Sequence, residues 1–130
     1  MRKSIPRAVR ARVRAKTHGR CSYCGMETPL QIDHVFPVSS SGTDDEANLW
    51  GACRGCNNYK HDGSIDTLKA WLRRIGQSIW ENNNGFRLAV ESGVVTLHPD
   101  REPFFYFEKI GYRYDEKSMR IVLDLVKERP

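Results

Sequence analysis

The clearest helical pattern of hydrophobic positions in this chain lies between residues 66 and 81. Its apolar residues keep the three- and four-residue spacing of one helix face, and we expect them to be buried: Leu68, Trp71, Leu72, Ile75 and Ile79. A second helix is predicted over residues 5–16, where Ile5, Val9 and Val13 recur every four residues. Ser4 is the expected cap of that helix, and Pro6 fits its first turn.

Shorter apolar runs predict the remaining elements. Between the two helices we expect strands over residues 30–35 and 47–52, a polar loop at 39–45 between them, and a short helix over 54–61. Beyond residue 82 the pattern predicts a β-hairpin over 86–98, a strand over 104–110 and a closing helix over 118–127. The aromatic run Phe104–Phe107 is expected to be mostly core. The predicted class is therefore α+β.

Length and composition predict one globular domain. The chain has 130 residues, of which 39% are hydrophobic and 28% charged, so a disordered chain is excluded. We expect a basic segment at 1–20, a central core at 21–62 and an extension of unknown role at 63–130. No apolar run is long enough to cross a membrane, and no apolar segment of the secretory type follows the N-terminus, so a membrane-spanning protein and a secretory signal are not expected.

Charge is distributed unevenly along the chain. The formal net charge is +5, yet residues 1–20 hold eight basic residues and no acidic one, which leaves the remainder with a net charge of −3. Such asymmetry indicates a polyanionic partner, most often a nucleic acid. A solvated helix face would produce the same pattern, and charge alone leaves the two interpretations open.

Four cysteines form two Cys-x-x-Cys pairs, at Cys21 and Cys24 and at Cys53 and Cys56. In a reducing compartment such pairs seldom form disulfides, and each pair can present two thiolates on one side of a tight turn. The predicted site is a structural Zn²⁺ bound by all four sulfurs, with no open position for chemistry. The alternatives are a redox-active pair and buried free thiols. The 28 residues between the pairs exceed the spacing of simple zinc ribbons.

The segment between the cysteine pairs, with the helix after it, carries side chains suited to phosphodiester chemistry. Asp33 and His34 end the first predicted strand, Asn48 begins the second, and Asn57 and His61 lie four residues apart on the predicted short helix. Carboxylate, amide and imidazole groups can hold a divalent cation, and an imidazole that is not bound to metal can accept a proton from water. Each residue alone has an ordinary structural explanation, whereas the ordered set favours hydrolysis.

Together these motifs resemble the zinc-bound HNH endonucleases, which are ββα-metal (His-Me finger) nucleases. The resemblance covers about residues 18–62 and rests on ordered elements: Cys21-x-x-Cys24-Gly25, Ile32-Asp33-His34-x-x-Pro37, Gly42, Asn48-Leu49 and Cys53-x-x-Cys56-Asn57-x-x-Lys60. It implies a ββα fold held by the cysteine-bound zinc. Residues 63–130 carry no resemblance.

The resemblance also implies a role for each motif residue. His34 corresponds to the general base, and Asp33 to a ligand of a catalytic metal. Asn48 corresponds to the central asparagine, which fixes the loop and the histidine rather than reacting. Asn57 stands where the family often has histidine and would be a second metal ligand. His61 is either a third ligand or an exposed polar residue.

The expected partner is nucleic acid, with DNA favoured. The oxygen ligands favour Mg²⁺ or Mn²⁺, and His61 would extend the tolerance to Ni²⁺ or Co²⁺. The predicted phosphate contacts come from the basic helix and the short helix: Arg7, Arg10, Arg14, Arg54 and Lys60. The rival interpretations are a non-catalytic, zinc-dependent nucleic-acid-binding module and a protein-interaction domain that uses residues 86–127. The family resemblance also implies a cytoplasmic location.

Overall fold

Residues 4–125, the part that this computed structural model describes, form five α-helices and four short β-strands. The strands make two separate antiparallel sheets of two strands each. The α+β class predicted from the sequence is confirmed. In chain order the elements are α1 Arg7–Lys16, β1 Gln31–His34, β2 Leu49–Ala52, α2 Arg54–Lys60, α3 Ile65–Asn82, α4 Asn84–Glu91, α5 Tyr106–Lys109, β3 Tyr112–Asp115 and β4 Arg120–Leu123.

The central part of the chain is a strand–loop–strand–helix unit, as predicted. β1 pairs with β2 so that Asp33 lies opposite Trp50 and His34 opposite Leu49. All four residues of β2 are buried. Helix α2 begins directly after Cys53, whose sulfur accepts a hydrogen bond from the Cys56 amide at 3.3 Å and so caps the helix.

Helix α1 lies against β2 through both apolar and charged contacts. Val13 is fully buried on its inner face. The Lys16 ammonium donates to the Leu49 carbonyl at 2.9 Å and lies 4.5 Å from the centre of the Trp50 ring. Burial lowers the pKa of Lys16, although the nearby Glu46 carboxylate opposes that shift. The basic helix is thus part of the folded unit.

The start of α1 differs from the prediction. Pro6 precedes the helix, which begins at Arg7, and no side chain caps it. The expectation that Ser4 caps this helix is therefore wrong. The proline ends the extended segment at a φ of −58°, a value compatible with helix, so the helix can begin at the next residue without a polar cap.

Two compact units divide the chain. One contains residues 1–65 together with 104–130, and the other contains residues 66–103. The first holds the predicted functional residues, both sheets, α1, α2 and α5. The second holds α3 beyond its first residue and α4. That all 130 residues form a single domain stays a prediction. No helix of the described residues is long and apolar enough to cross a membrane.

The β-hairpin predicted over residues 86–98 is wrong, because helix α4 occupies Asn84–Glu91. Asn83 is the N-cap of this helix, and its side-chain oxygen accepts a hydrogen bond from the Phe86 amide at 2.9 Å. The asparagine-rich segment at residues 82–84 thus ends α3 and begins the next helix.

The strand predicted over residues 104–110 is also wrong, since α5 covers Tyr106–Lys109. The Glu108 carboxylate accepts a hydrogen bond from the Phe105 amide at 2.8 Å, which favours a helical turn. Within the aromatic run, Phe105 and Phe107 are buried, whereas 64% of Phe104 is exposed. The core role predicted for this run therefore applies to those two buried rings.

The closing helix predicted over residues 118–127 is wrong where the structure describes it. Residues 120–123 form β4 and pair with β3, while residues 126 and 127 lie outside the described residues. The Asp115 carboxylate accepts hydrogen bonds from the Ser118 amide and hydroxyl, which closes the turn between the strands. The apolar run that follows is then extended and forms a ladder with residues 112–115.

The apolar face predicted for α3 is only partly buried. Leu68 is 4% exposed, but more than a third of the surface of Trp71, Ile75 and Ile79 is exposed. The prediction that these three residues are buried is wrong. Their helical spacing correctly identified the helix, and the spacing carries no information about what covers its face.

Candidate functional site

Four cysteine side chains converge where the segment before β1 meets the start of α2. All four sulfur atoms lie within 4.8 Å of one another, and all four cysteines are free thiols: Cys21, Cys24, Cys53 and Cys56. The Gly25 backbone has a φ of +75°, and a Cβ there would approach the Tyr106 ring to 3.0 Å. Four sulfurs at this spacing can hold a metal ion of the zinc type.

The surroundings of the sulfurs affect their pKa values in opposite directions. Burial raises the pKa of Cys21 and of Cys56. At Cys53 burial also acts to raise the pKa, but hydrogen bonds from the Cys56 amide and the neighbouring thiols outweigh it and lower the value. Crowded thiols that resist ionisation together are stabilised as thiolates by a bound cation.

The cysteine cluster is connected to β1 by a buried polar network around Asp33. Tyr23, between the first two cysteines, donates its hydroxyl to Asp33 Oδ2. Lys60, four residues after Cys56, places its ammonium 3.2 Å from Asp33 Oδ1 and 3.2 Å from the His34 carbonyl oxygen. Asp33 is 3% exposed and Lys60 is fully buried. Each cysteine pair thus supplies one neighbouring side chain that holds the end of β1.

Charge within this network favours the observed partners. Burial, followed by the Asp33 charge, raises the pKa of Tyr23 well above its usual value, so its hydroxyl stays protonated and donates. Lys60 was predicted to contact phosphate, and that prediction is wrong because its ammonium is buried against Asp33. A buried carboxylate that is compensated by one cation and one hydroxyl is a structural element.

His34 lies on the other side of β1, because successive side chains of a strand point to opposite faces. Its Nε2 atom is 2.8 Å from Asp44 Oδ1, and 22% of its side chain is exposed. Both residues line a groove of about 390 Å³ together with Gln31 of β1 and Arg10 of α1. The imidazole is therefore accessible to a ligand while one of its nitrogens is engaged.

Asn48 holds the loop that carries Asp44. Its side-chain oxygen accepts a hydrogen bond from the Phe36 amide at 2.7 Å, and its amide group donates to the Phe36 and Thr43 carbonyls at 3.0 and 2.9 Å. Asn48 is 3% exposed. These contacts fix the chain two residues after His34 and one residue before Asp44. That Asn48 orients the histidine stays a prediction.

The three predicted ligands of a catalytic metal have separate partners in this structure. The Asp33 carboxylate binds Tyr23 and Lys60, and Asn57 donates its side-chain amide to the Gln31 side-chain oxygen at 2.8 Å. His61 contacts Asp62. The residues present do not form a ready ligand set. That Asp33 and Asn57 bind a metal stays a prediction.

His61 does not lie on the helix face predicted for it. Helix α2 ends at Lys60, and His61 follows with a φ of +53°. Its ring is 77% exposed, and Nδ1 lies 2.8 Å from Asp62 Oδ1. The placement beside Asn57 on one face is wrong, because the turn at residue 61 redirects the chain. The contact also lowers the pKa of Asp62, chiefly through the hydrogen bond with His61.

The basic residues of α1 have two roles. Arg12 forms two hydrogen bonds with the Glu46 carboxylate and lowers the pKa of that group, so it helps to attach the helix. The other three arginines of the helix are exposed, and Arg54 is exposed at the start of α2. Arg10 lines the groove beside His34. Phosphate contacts by the four exposed arginines, Arg7, Arg10, Arg14 and Arg54, stay predictions.

Sequence reasoning missed Tyr23, Asp44 and Gln31 as parts of this site, and it misplaced Lys60. The two-residue period of a strand was a usable signal, since it places Asp33 and His34 on opposite faces. For Asp44 no local signal distinguishes it from Asp45, which lies 3.7 Å from Arg120 Nη2 instead.

Comparison with known protein families agrees with this arrangement. Residues 21–63, about a third of the chain, match the HNH endonuclease family. The resemblance stated from the sequence is thereby confirmed for this segment, which contains both cysteine pairs, β1, β2 and α2. Neither the curated proteins nor the solved structures compared with the chain include a match.

Removing either charge of the buried pair is expected to destabilise the fold strongly. K60M leaves the Asp33 carboxylate buried without a cation and should lower the free energy of unfolding by about 3–5 kcal/mol, as should D33N. The double variant should lose about 0.5–3 kcal/mol less stability than the sum of the losses in the two single variants. Chemical denaturation of the full chain measures each value.

The matched control is K117M, which removes an exposed lysine and should change stability by less than about 0.5 kcal/mol. Strict additivity of D33N and K60M would contradict a direct interaction between the two buried groups.

Proposed function

We propose that this protein is an HNH endonuclease that hydrolyses phosphodiester bonds in nucleic acid, most favourably DNA, with His34 as the general base. The observation that carries the proposal is the position of His34: a partly exposed imidazole in a groove, within the segment that matches the HNH family. A four-cysteine structural zinc would hold the two halves of the motif together and leave no ligand position for substrate.

His34 would accept a proton from a water molecule as that water attacks phosphorus in line with the departing 3′ oxygen. Asn48 holds the loop close to the end of β1, so the His34 ring needs no reorganisation before reaction. Arg10, on the groove wall, would offset charge on the bound phosphate.

The family resemblance implies a divalent cation, Mg²⁺ or Mn²⁺, which would stabilise the negative charge that develops on the phosphate. The separate partners of Asp33, Asn57 and His61 give no reason to assign a step to that ion. His61, exposed and turned away from α2, gives no support to Ni²⁺ or Co²⁺.

A non-catalytic, zinc-dependent nucleic-acid-binding module is the second candidate. The converging cysteines and the exposed arginines of α1 suit it equally well. A binding module gives no reason for the Asp44 carboxylate to hold His34 in the groove. It also gives no reason for the buried Asn48 to fix the chain near both of these residues. The two functions differ in one observable, which is metal-dependent cleavage.

Replacing His34 should abolish cleavage without disturbing the fold. H34A removes the proton acceptor, and a loss of about 100-fold or more in rate is expected. Plasmid and single-stranded substrates incubated with Mg²⁺, Mn²⁺ or EDTA provide the assay, and zinc content and circular dichroism verify the variant. H98A is the matched control, because His98 lies in the other unit. Cleavage by H34A at the wild-type rate would disprove the assignment.

Neutralising the exposed arginines of α1 should weaken nucleic-acid binding and reduce its salt dependence. The triple variant R7Q/R10Q/R14Q keeps Val13, Arg12 and Lys16, which attach the helix. Each lost phosphate contact lowers the slope of log Kobs against log salt by about 0.9, so a decrease of up to about 2.7 is expected. Fluorescence anisotropy with labelled duplex DNA measures it.

The control variant R73Q/R74Q/R87Q removes the same charge from exposed positions in α3 and α4. An equal decrease in slope for the control would contradict a specific role for α1.

A further inference from the structure

Two histidines of this chain contact a carboxylate at the same distance but in different surroundings. His34 Nε2 and His61 Nδ1 each lie 2.8 Å from an aspartate oxygen. The His61 ring is 77% exposed and its partner is the next residue, whereas the His34 ring is 22% exposed and its partner Asp44 lies ten residues away. Only the His34–Asp44 contact needs a folded loop to bring its partners together.

That loop is held firmly at both ends of the contact. The buried Asn48 side chain binds Phe36, two residues after His34, and Thr43, one residue before Asp44. Gly42 packs so closely that a Cβ would lie 1.8 Å from the Phe36 carbonyl oxygen, and no other residue would fit. The path from His34 to Asp44 is therefore fixed by backbone contacts, and the distance between the two side chains follows from it.

The chemistry of the contact determines which ring nitrogen carries the proton. An ionised carboxylate only accepts hydrogen bonds, so Nε2 must donate to Asp44. In the neutral ring the lone pair then belongs to Nδ1. A carboxylate that holds a histidine in this way selects one tautomer and one ring orientation.

We propose that Asp44 is a positioning residue that keeps His34 in the Nε2-protonated tautomer and makes Nδ1 the atom that accepts the proton from water. The inference rests on the proposed nuclease function for its catalytic consequence, and on geometry alone for the tautomer. Asp44 acts through His34 and itself touches no reacting atom.

The test compares four proteins: wild type, D44A, D44N and D45N. Asp45 is the matched control, since it carries the same charge one position along and faces Arg120 rather than His34. Ring ¹⁵N shifts report the tautomer of His34, assigned by comparison with H34A. Single-turnover cleavage over a range of Mn²⁺ concentrations reports the rate at saturation and the Mn²⁺ requirement. Zinc content verifies that each variant is folded.

D44A should shift His34 towards a mixture of tautomers and lower the cleavage rate about 10- to 100-fold. D44N, whose amide can accept or donate, should show a smaller change in both measurements. D45N should match wild type, and the signals of His61 should not move in any variant.

Three results separate the possible failures. Wild-type tautomer and rate in D44A would overturn the proposal and leave the nuclease function intact. An unchanged tautomer with a raised Mn²⁺ requirement would assign the carboxylate to the metal and also overturn it. If wild type cleaves nothing, the proposed function fails, and the ¹⁵N shifts alone then test whether Asp44 sets the tautomer.

Discussion

The convergence of four cysteine sulfurs is the constraint on which the rest of the site depends. The two cysteine pairs are separated by 28 residues, and that intervening segment contains β1, the loop and β2. Sulfurs within 4.8 Å of one another bring the segment before β1 against the start of α2. A two-stranded sheet of four-residue strands is marginal by itself, so a metal bound by the four sulfurs would stabilise this unit in place of a larger core.

Buried polar contacts connect the four cysteines to the end of β1. Tyr23, within one cysteine pair, and Lys60, at the end of the helix that carries Cys56, both bind Asp33. Lys60 also binds the carbonyl of His34, so side chains next to both cysteine pairs hold the end of β1. Burying an ion pair brings little net stability, but an incorrectly placed one is costly, which favours a single arrangement of the strand end. The accessible face of β1 then presents His34 to the groove.

The sequence predicted the central unit well and the C-terminal half poorly, for physical reasons. The short apolar runs near Ile32 and Trp50 and the cysteine spacing are local signals, and they correctly located β1, β2 and α2. The hairpin expected at residues 86–98 failed because Asn83 caps a helix, a side-chain contact that overrides the apolar pattern. The aromatic run failed as a strand because the Tyr106 and Phe107 amides bind carbonyls of the first cysteine turn, a long-range contact. The contact between Asp33 and Lys60 was also missed because it is long-range.

The central claim is that the cysteine-bound metal assembles the nuclease site, and stoichiometric reconstitution tests it directly. The chain is freed of metal, transferred to buffer with fixed excess Mg²⁺, and given zinc in steps up to one equivalent while DNA cleavage is measured. Cleavage should rise in proportion to bound zinc and reach its maximum at one ion per chain. Full cleavage by the zinc-free chain would contradict the account.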